Sequence, residues 1–214
     1  MGPDYSVALI ILVIAVGCLL LWSNHRFDRR KERQYAVLEE NAQRFSRSLR
    51  IPVEEARRML VEASSARPSE VAPRLFLGGV LASREPRLLR SLGISHVVNA
   101  TASLPMVERS GGASFRTIRV PVDDALDADI AAHFDRSSDF IANALSDANC
   151  SCLVHCQQGV SRSATLVIAY LMRENGWPCA RAIETVKRSR FIMPNLAFVT
   201  QLHRYEEHLT TARS

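Results

Sequence analysis

The nine residues from His155 to Ser163, His-Cys-Gln-Gln-Gly-Val-Ser-Arg-Ser, lie between two apolar segments and constrain the fold more than any other part of the chain. The run 152–154 predicts the end of a buried strand, and the apolar run 163–172 predicts a buried helix. A strand–loop–helix turn directs a row of backbone N–H groups at one point, and the helix dipole adds positive potential there. The sequence therefore predicts an anion-binding loop that attracts a phosphate dianion.

The same loop offers a nucleophile. A cysteine at a helix N-terminus beside cations can have a pKa of about 3.5–7.5, so Cys156 is expected to attack phosphorus as a thiolate. Arg162 has the planar fork that grips two phosphate oxygens. Ser163 is expected to hydrogen-bond the sulfur, and His155 to hold the loop through hydrogen bonds. The alternative, a buried structural Cys156 followed by a helix cap at Ser161, is disfavoured by the complete nine-residue string.

The interior of the loop is predicted to bind the phosphate. Gly159 permits the backbone turn that aims the N–H groups inward. The predicted phosphate-binding residues are Gln157, Gln158, Gly159, Val160, Ser161 and Arg162.

The string His-Cys-x-x-Gly-x-Ser-Arg-Ser resembles the signature loop of the dual-specificity protein phosphatases, a branch of the cysteine-based protein tyrosine phosphatase superfamily. The resemblance covers residues 68–209. It extends to 71–78 and 93–100, which are similar to the family's first two strands, and to 190–198, which is similar to the run before its last helix. The implied fold is α/β, a mixed, largely parallel sheet of about five strands flanked by helices, with the active site at the strand-end loops.

The resemblance also implies a general acid on a separate upstream loop, worth typically 10²–10⁴-fold in rate. Asp124 aligns with that acid, and Asp123 beside it is the alternative; we favour Asp124. Asp127 and Asp129 are interpreted as caps of the following helix. The implied mechanism passes through a phosphocysteine at Cys156, with Asp124 first as acid and then as base.

Neither a metal nor another cofactor is predicted. Cys150, Cys152, Cys156 and His155 lie close in sequence, but no second ligand pair follows at zinc-finger spacing. Five cysteines, scattered along the chain, do not indicate a secreted disulfide framework. Cys150 or Cys152 could trap Cys156 as a reversible disulfide, although we favour both as strand residues without a redox role.

The N-terminal residues 7–22 form an unbroken apolar run that reaches spanning length when Tyr5 and Ser6 are added at the interface. Basic residues follow the run and none precedes it, so the positive-inside rule places the rest of the chain in the cytosol. The order of charge and apolar run disfavours a cleaved signal peptide. Residues 1–24 are therefore predicted to be a single-pass signal anchor, in the endoplasmic reticulum or the outer mitochondrial membrane.

Residues 25–67 are charged and prone to form helices, which predicts a basic juxtamembrane spacer before a catalytic domain at 68–211. Its arginines could contact anionic lipid headgroups, although a solvated helix is the favoured alternative. The net charge of +5 lies partly in this spacer, so it does not indicate a nucleic-acid partner.

The substrate is predicted to be a phosphoprotein, because Gln157, Gln158 and Val160 carry no charge to meet additional phosphates. Phosphoinositide phosphatases of the superfamily tend to place lysine or arginine there. The anchor favours the lipid alternative, and it stays open. RNA triphosphate removal would need a more basic pocket, and a non-catalytic phosphoprotein binder would lack the nucleophile that Cys156 supplies.

Overall fold

The structure, a computed structural model, describes residues 36, 39–44, 46–47, 50–63, 65–107 and 115–213. The predicted anchor at 1–24 lies outside the described residues, as does much of the predicted spacer. In the part of the chain that is described, no helix has the length and apolarity to cross a membrane. The chain divides into two compact units, with the boundary between Arg58 and Met59. The predicted domain division at residues 67 and 68 stays a prediction.

Helical structure in the upstream unit includes residues 39–44 and the start of helix α1 (Val53–Ala63). Helix α1 follows Pro52, whose carbonyl accepts hydrogen bonds from the amides of residues 55 and 56. Proline suits this position because the first turn of a helix does not need its missing N–H. Arg57 is paired with two carboxylates, Glu54 and Glu39. The positive charge of this arginine is therefore already balanced within the unit.

The downstream unit is built on a five-stranded mixed sheet with the strand order β1-β2-β5-β3-β4. The strands are β1 (Ser69–Ala72), β2 (Leu75–Gly78), β3 (Ile94–Asn99), β4 (Arg116–Arg119) and β5 (Ser151–His155). Strand β1 is antiparallel to β2, and the other pairs are parallel. The central strand β5 is buried throughout, and its last residue, His155, pairs with Gly78 on one side and Asn99 on the other. The prediction of a mixed, largely parallel sheet of about five strands is confirmed.

Helices flank the sheet, and the most buried of them starts at Arg162, within the nine-residue motif at 155–163. The helices after α1 are α2 (Val80–Ser83), α3 (Pro86–Ser91), α4 (Phe134–Ser146), α5 (Arg162–Asn175), α6 (Cys179–Ser189) and α7 (Leu196–Thr211). Helix α5 packs against β5 and against α4, α6 and α7. Leu166, Val167 and Ile168 in α5 are fully buried, and each such side chain contributes about 1.5–3 kcal/mol. This packing fixes the position of the N-terminus of α5.

The first strand region differs from the sequence-based prediction. Residues 71–78 were predicted as one strand, but Pro73 and Arg74 form the turn of the hairpin between β1 and β2. Arg74 has a φ of 62°, and its amide donates to the Glu70 carboxylate rather than to a neighbouring strand. The residues that lead to the acid candidate Asp124 are strand only as far as Arg119, where β4 ends; the Val122 amide then donates to the carbonyl of residue 120.

Candidate active site

The loop between β5 and α5, residues 156–161 with Arg162 as the first residue of α5, is called the phosphate loop below. Its centre is the sulfur of Cys156, which is 2% exposed. The sulfur accepts a hydrogen bond from the Gly159 amide at 3.2 Å and another from the Ser163 hydroxyl at 3.2 Å. The structure therefore brings together three of the residues that the sequence predicts for this site.

The surroundings of Cys156 act on its pKa in opposite directions. Burial raises the pKa of the thiol, whereas the charge of Arg162 and the hydrogen bonds from Ser163 and Gly159 lower it. The lowering effects are together the larger, so the pKa of Cys156 lies below its ordinary value. The site consequently favours the thiolate, which is the nucleophilic form.

Gly159 is the position where the phosphate loop requires glycine. Its φ is 72°, in the left-handed region, and a Cβ there would lie 2.4 Å from the backbone carbonyl of Gly78. The loop thus turns directly against the end of β2. This close approach gives a physical reason for the glycine that the sequence motif places here.

Arg162 lies between the phosphate loop and the loop that carries the acid candidates. Its Nη1 donates to the Val122 carbonyl at 3.2 Å, and its Nε lies 3.8 Å from Oδ2 of Asp124. This Nε is buried and has no hydrogen-bond partner among the described residues. A donor in that condition suits a phosphate oxygen, because a buried N–H without an acceptor is costly.

Of the two acid candidates, Asp124 faces the phosphate loop and Asp123 is exposed. Oδ1 of Asp124 accepts a hydrogen bond from the Ser161 hydroxyl at 2.8 Å and one from Nδ2 of Asn195 at 2.9 Å. The Ser161 side chain therefore binds the acid loop and does not cap α5. Oδ1 of Asp129 accepts a hydrogen bond from the amide of Ala132, in the single 3₁₀ turn (Ala131–His133) that precedes α4. The prediction that Asp127 and Asp129 cap the helix is wrong for α4, which begins at Phe134 without a side-chain cap.

Asn195 is a site residue that the sequence reasoning missed. It caps α7, since its Oδ1 accepts from the Phe198 amide at 3.0 Å. Its Nδ2 also donates to Asp124 and, at 3.4 Å, to the Ala125 carbonyl, while its backbone amide donates to the Ser161 hydroxyl. An asparagine directly before a helix predicts the cap. Local sequence does not predict the contact with Asp124, because the two residues are 71 positions apart.

Arg190 is the second residue that sequence reasoning missed, and it lies behind the phosphate loop. Its side chain is buried, and Nε donates to the Gly159 carbonyl at 2.9 Å while Nη2 donates to the Gln158 carbonyl at 3.1 Å. The same guanidinium binds the Ala63 carbonyl and, at 3.3 Å, the Ser69 hydroxyl. Burial lowers the pKa of Arg190 to about 10, so it stays charged at neutral pH.

The other loop carbonyls are also bound from outside the loop. The Gln157 carbonyl accepts from the Val80 amide at 3.0 Å, and the Val160 carbonyl accepts from the Met193 amide at 2.9 Å. Val160 is buried, whereas the side chains of Gln157 and Gln158 are partly exposed. These contacts hold the carbonyls of residues 157–160 in fixed directions.

His155 is fully buried at the end of β5 and does not reach the sulfur through any hydrogen bond that the structure describes. Its Nδ1 lies 3.4 Å from the Cys156 carbonyl oxygen. Burial lowers the pKa of His155 to about 4, so the ring is neutral at pH 7. The contact joins the ring to the backbone of the phosphate loop.

Possible metal ligands occur elsewhere, on α6 and α7. One ligand atom each from Cys179, His203 and Glu206 lies within 4.8 Å of the others, so these three residues could hold a metal ion. The Glu206 carboxylate already accepts from the Cys179 amide at 3.2 Å and lies 3.5 Å from Nδ1 of His203.

Cys152 is buried within β5, and burial raises the pKa of its thiol.

A buried cysteine whose sulfur accepts two hydrogen bonds in a phosphate loop, an arginine at the start of the next helix and an aspartate opposite them form the active-site geometry of a cysteine-dependent phosphatase. The family model of the dual specificity phosphatase catalytic domain matches residues 75–208, more than half of the chain. The chain belongs to the dual specificity phosphatase family.

Individual relatives agree with this assignment. Dual specificity protein phosphatase 26 of Rattus norvegicus is 44% identical over 135 residues, which are 62% of this chain and 64% of the relative. Dual specificity protein phosphatase 1 of Homo sapiens is 38% identical over 143 residues, 66% of this chain and 38% of the relative. The crystal structure of human DUSP28 is similar with a TM-score of 0.62 and 36% identity, covering 67% of this chain and 95% of that one. The chain thus spans less than two thirds of the curated relatives it matches.

Proposed function

We propose that the chain is a membrane-anchored protein phosphatase that hydrolyses phosphotyrosine and phosphoserine or phosphothreonine through a phosphocysteine intermediate. The observation that carries this proposal is the Cys156 sulfur, which accepts hydrogen bonds from the Gly159 amide and the Ser163 hydroxyl and has a lowered pKa. These contacts favour the thiolate, which is the nucleophilic form of cysteine. Membership of the dual specificity phosphatase family supports the same reaction class.

In the first step the Cys156 thiolate forms a bond to phosphorus, and the bond between phosphorus and the substrate oxygen breaks. Arg162 and the loop amides stabilise the charge on the three non-bridging oxygens. Asp124 gives its proton to the leaving oxygen. Because Ser161 and Asn195 hold Oδ1 of Asp124, Oδ2 is the oxygen that is available for this transfer.

In the second step water attacks the phosphorus of the phosphocysteine, and the sulfur–phosphorus bond breaks. Asp124 takes the proton from the water, and inorganic phosphate is the product. The electron pair returns to the Cys156 sulfur. The Ser163 hydroxyl and the Gly159 amide are placed to stabilise that thiolate as it leaves.

A protein substrate is proposed because the loop side chains that could meet additional phosphates carry no charge. The four residues between Cys156 and Ser161 are Gln157, Gln158, Gly159 and Val160, and none of them has a charged side chain. We therefore favour a phosphoprotein over a phosphoinositide as the substrate. A phosphoinositide hydrolysed faster than any phosphopeptide would reverse this choice.

The proposal includes anchoring of the chain by residues 1–24, with the catalytic part in the cytosol, at the endoplasmic reticulum or the outer mitochondrial membrane. Its support is the apolar run at 7–22 and the basic residues that follow it. These residues are outside the described part of the structure. The juxtamembrane arginines add contacts with anionic lipid to this proposal, and Arg57 contributes none of them, because it is already paired with Glu39 and Glu54.

The test is hydrolysis of para-nitrophenyl phosphate and of a phosphotyrosine peptide by the full chain in detergent. We expect Cys156→Ser to abolish turnover, because serine gives no thiolate. Asp124→Asn should lower kcat for the peptide by about 10²–10⁴-fold, since a poor leaving group needs its proton. Asp123→Asn, the matched change at the exposed neighbour, should retain most of the activity.

The covalent intermediate is tested separately by rapid denaturation followed by intact mass measurement. With para-nitrophenyl phosphate, whose leaving group departs without protonation, Asp124→Asn should slow only the hydrolysis step, so a protein heavier by one phosphoryl group should accumulate. The same adduct should be missing from Cys156→Ser. A folded wild-type chain that binds phosphopeptide but hydrolyses neither compound would overturn the proposal in favour of a phosphoprotein-binding role.

A further inference from the structure

Large apolar side chains that face solvent are few in the described part of the chain. They are Val61, Leu81, Leu126 and Leu196, with relative exposures of 54, 42, 72 and 76%. The two most exposed follow directly on residues of the active-site network. Leu126 is two residues after Asp124, and Leu196 is the residue after Asn195.

Asn195 brings these two leucines to one side of the active site. Its side chain donates to Oδ1 of Asp124 and to the carbonyl of Ala125, the residue before Leu126. Leu196 is the first residue of α7, directly after this asparagine. The loop that carries the acid and the start of α7 therefore meet at Asn195, and each presents an exposed leucine beside that contact.

Leu126 also lines a groove that is formed in part by residues of α7. The groove has a volume of about 500 Å³, and its lining includes Asp127 and Asp129 on one side and Arg204 and Tyr205 of α7 on the other. Leu126 therefore belongs both to this groove and to the exposed apolar residues beside the Asn195 contact, so the groove provides space for a substrate segment on one side of the phosphorylated residue.

We propose that Leu126 and Leu196 form an apolar rim that packs on an apolar side chain next to the phosphorylated residue of a protein substrate. The inference rests on the proposed phosphatase function and adds a sequence preference to it. Each leucine that loses contact with water on binding would stabilise the complex through the hydrophobic effect. The rim does not contact phosphorus, so its contribution belongs to substrate binding and should affect KM more than kcat.

The charges beside the rim favour a peptide over a lipid surface as the occupant. Asp123, Asp127 and Asp129 are exposed carboxylates within three residues of Leu126. Cytoplasmic membrane surfaces are negatively charged and attract lysine and arginine. Insertion of Leu126 into such a surface would bring three carboxylates to the same negative headgroups. An apolar residue of a peptide meets no such repulsion.

The test compares kcat/KM of the full chain for two phosphotyrosine peptides that differ at the residues flanking the phosphotyrosine, leucine in one and serine in the other. We expect the wild-type chain to prefer the leucine peptide by about tenfold, as one partly buried leucine contributes about this much. Leu126→Ser and Leu196→Ser should each reduce the preference severalfold, mainly through KM. Val61→Ser, the same kind of change at an exposed site in α1, should leave the preference unchanged.

The outcomes separate the rim from the proposed function. Equal rates on the two peptides, together with normal hydrolysis of para-nitrophenyl phosphate, would overturn the rim and leave the phosphatase function intact. A wild-type chain that does not hydrolyse para-nitrophenyl phosphate would overturn both. If Leu126→Ser and Leu196→Ser reduce binding to phosphatidylserine vesicles without changing the peptide preference, the rim is a lipid contact and the proposal is wrong.

Discussion

The Cys156 sulfur occupies a position where burial and hydrogen bonding act against each other. Burial removes the water that would stabilise a thiolate, so the protein has to replace that water with its own donors. It does so with the Ser163 hydroxyl, the Gly159 amide and the nearby charge of Arg162. Hydrogen bonds to a charged group contribute about 1.5–3 kcal/mol each. Loss of one donor should therefore be measurable as a change in the pKa of the thiol.

Ser163→Ala should raise the pKa of Cys156, because one hydrogen bond to the thiolate is lost. The measurement is the rate of alkylation by iodoacetamide as a function of pH, which reports the thiolate fraction. Ser137→Ala is the matched control, since that buried serine binds the carbonyls of residues 133 and 134 near the start of α4. A profile for Ser163→Ala that coincides with wild type would contradict the role given to its hydroxyl.

His155 should make the stability of the protein fall in mildly acidic solution. Its pKa is about 4 in the folded chain because of burial, against about 6.5 for an ordinary histidine. Between these values the unfolded chain binds a proton that the folded chain does not. The free energy of unfolding should consequently decrease as the pH falls from 6.5 to 4, by up to about 3 kcal/mol from this residue.

Urea unfolding at several pH values measures this effect. His155→Gln removes the titrating group, so its free energy of unfolding should depend less steeply on pH over that window than the wild-type value. The comparison uses the slope and not the absolute stability, because the substitution itself disturbs a buried site. Equal slopes for the two proteins would show that His155 does not stay neutral in the fold.

At the scale of elements, the phosphate loop is positioned by its close contact with the end of β2. Gly159→Ala should destabilise the protein strongly and abolish activity, because the new Cβ would lie 2.4 Å from backbone atoms of Gly78. Gly176→Ala is a matched control. Gly176 also has a positive φ, of 64°, but a Cβ there meets only the flexible side chain of Arg213.

Both alanine substitutions have the same cost, about 1 kcal/mol, for a left-handed backbone. The difference in stability between the two variants therefore measures the effect of the contact with β2. Thermal unfolding and para-nitrophenyl phosphate hydrolysis together measure it. We expect Gly176→Ala to unfold at a slightly lower temperature with normal turnover. A Gly159→Ala protein as stable and active as Gly176→Ala would mean that the loop can move away from β2 without consequence.

The sequence predicted the elements around the active site better than it predicted the contacts between them. The end of β5 and helix α5 were predictable because both are continuous apolar runs bounded by a polar loop. The hairpin at Pro73 was missed because the apolar residues on both sides of the turn resemble one strand. Asn195 and Arg190 were missed because their partners in the site are 71 and 31 residues away. Local patterns carry no information on such pairs.

At the scale of the whole chain, the predicted anchor should determine where the protein is located and should not affect the reaction that it catalyses. The full chain expressed in cells should stay with the membrane fraction after extraction with alkaline carbonate, because an apolar span of this length holds a protein in the bilayer. A chain that starts after residue 24 should appear in the supernatant and hydrolyse para-nitrophenyl phosphate at a similar rate. Full chain released by carbonate would contradict the anchor without affecting the proposed reaction.

Arg190 has a consequence for how a phosphate ion meets this protein. In a planar trans peptide the C=O and the following N–H point in opposite directions. By drawing the carbonyls of Gln158 and Gly159 toward itself, Arg190 turns the N–H groups of Gly159 and Val160 the other way, and the first of these is the one that donates to Cys156. The positively charged Arg190 binds the carbonyl side of these two peptide groups, and their N–H side is thereby left to bind the phosphate. A substitution of Arg190, or of Ser69, whose hydroxyl accepts from it, can therefore rotate these peptide planes and weaken phosphate binding without changing any residue that contacts the phosphate.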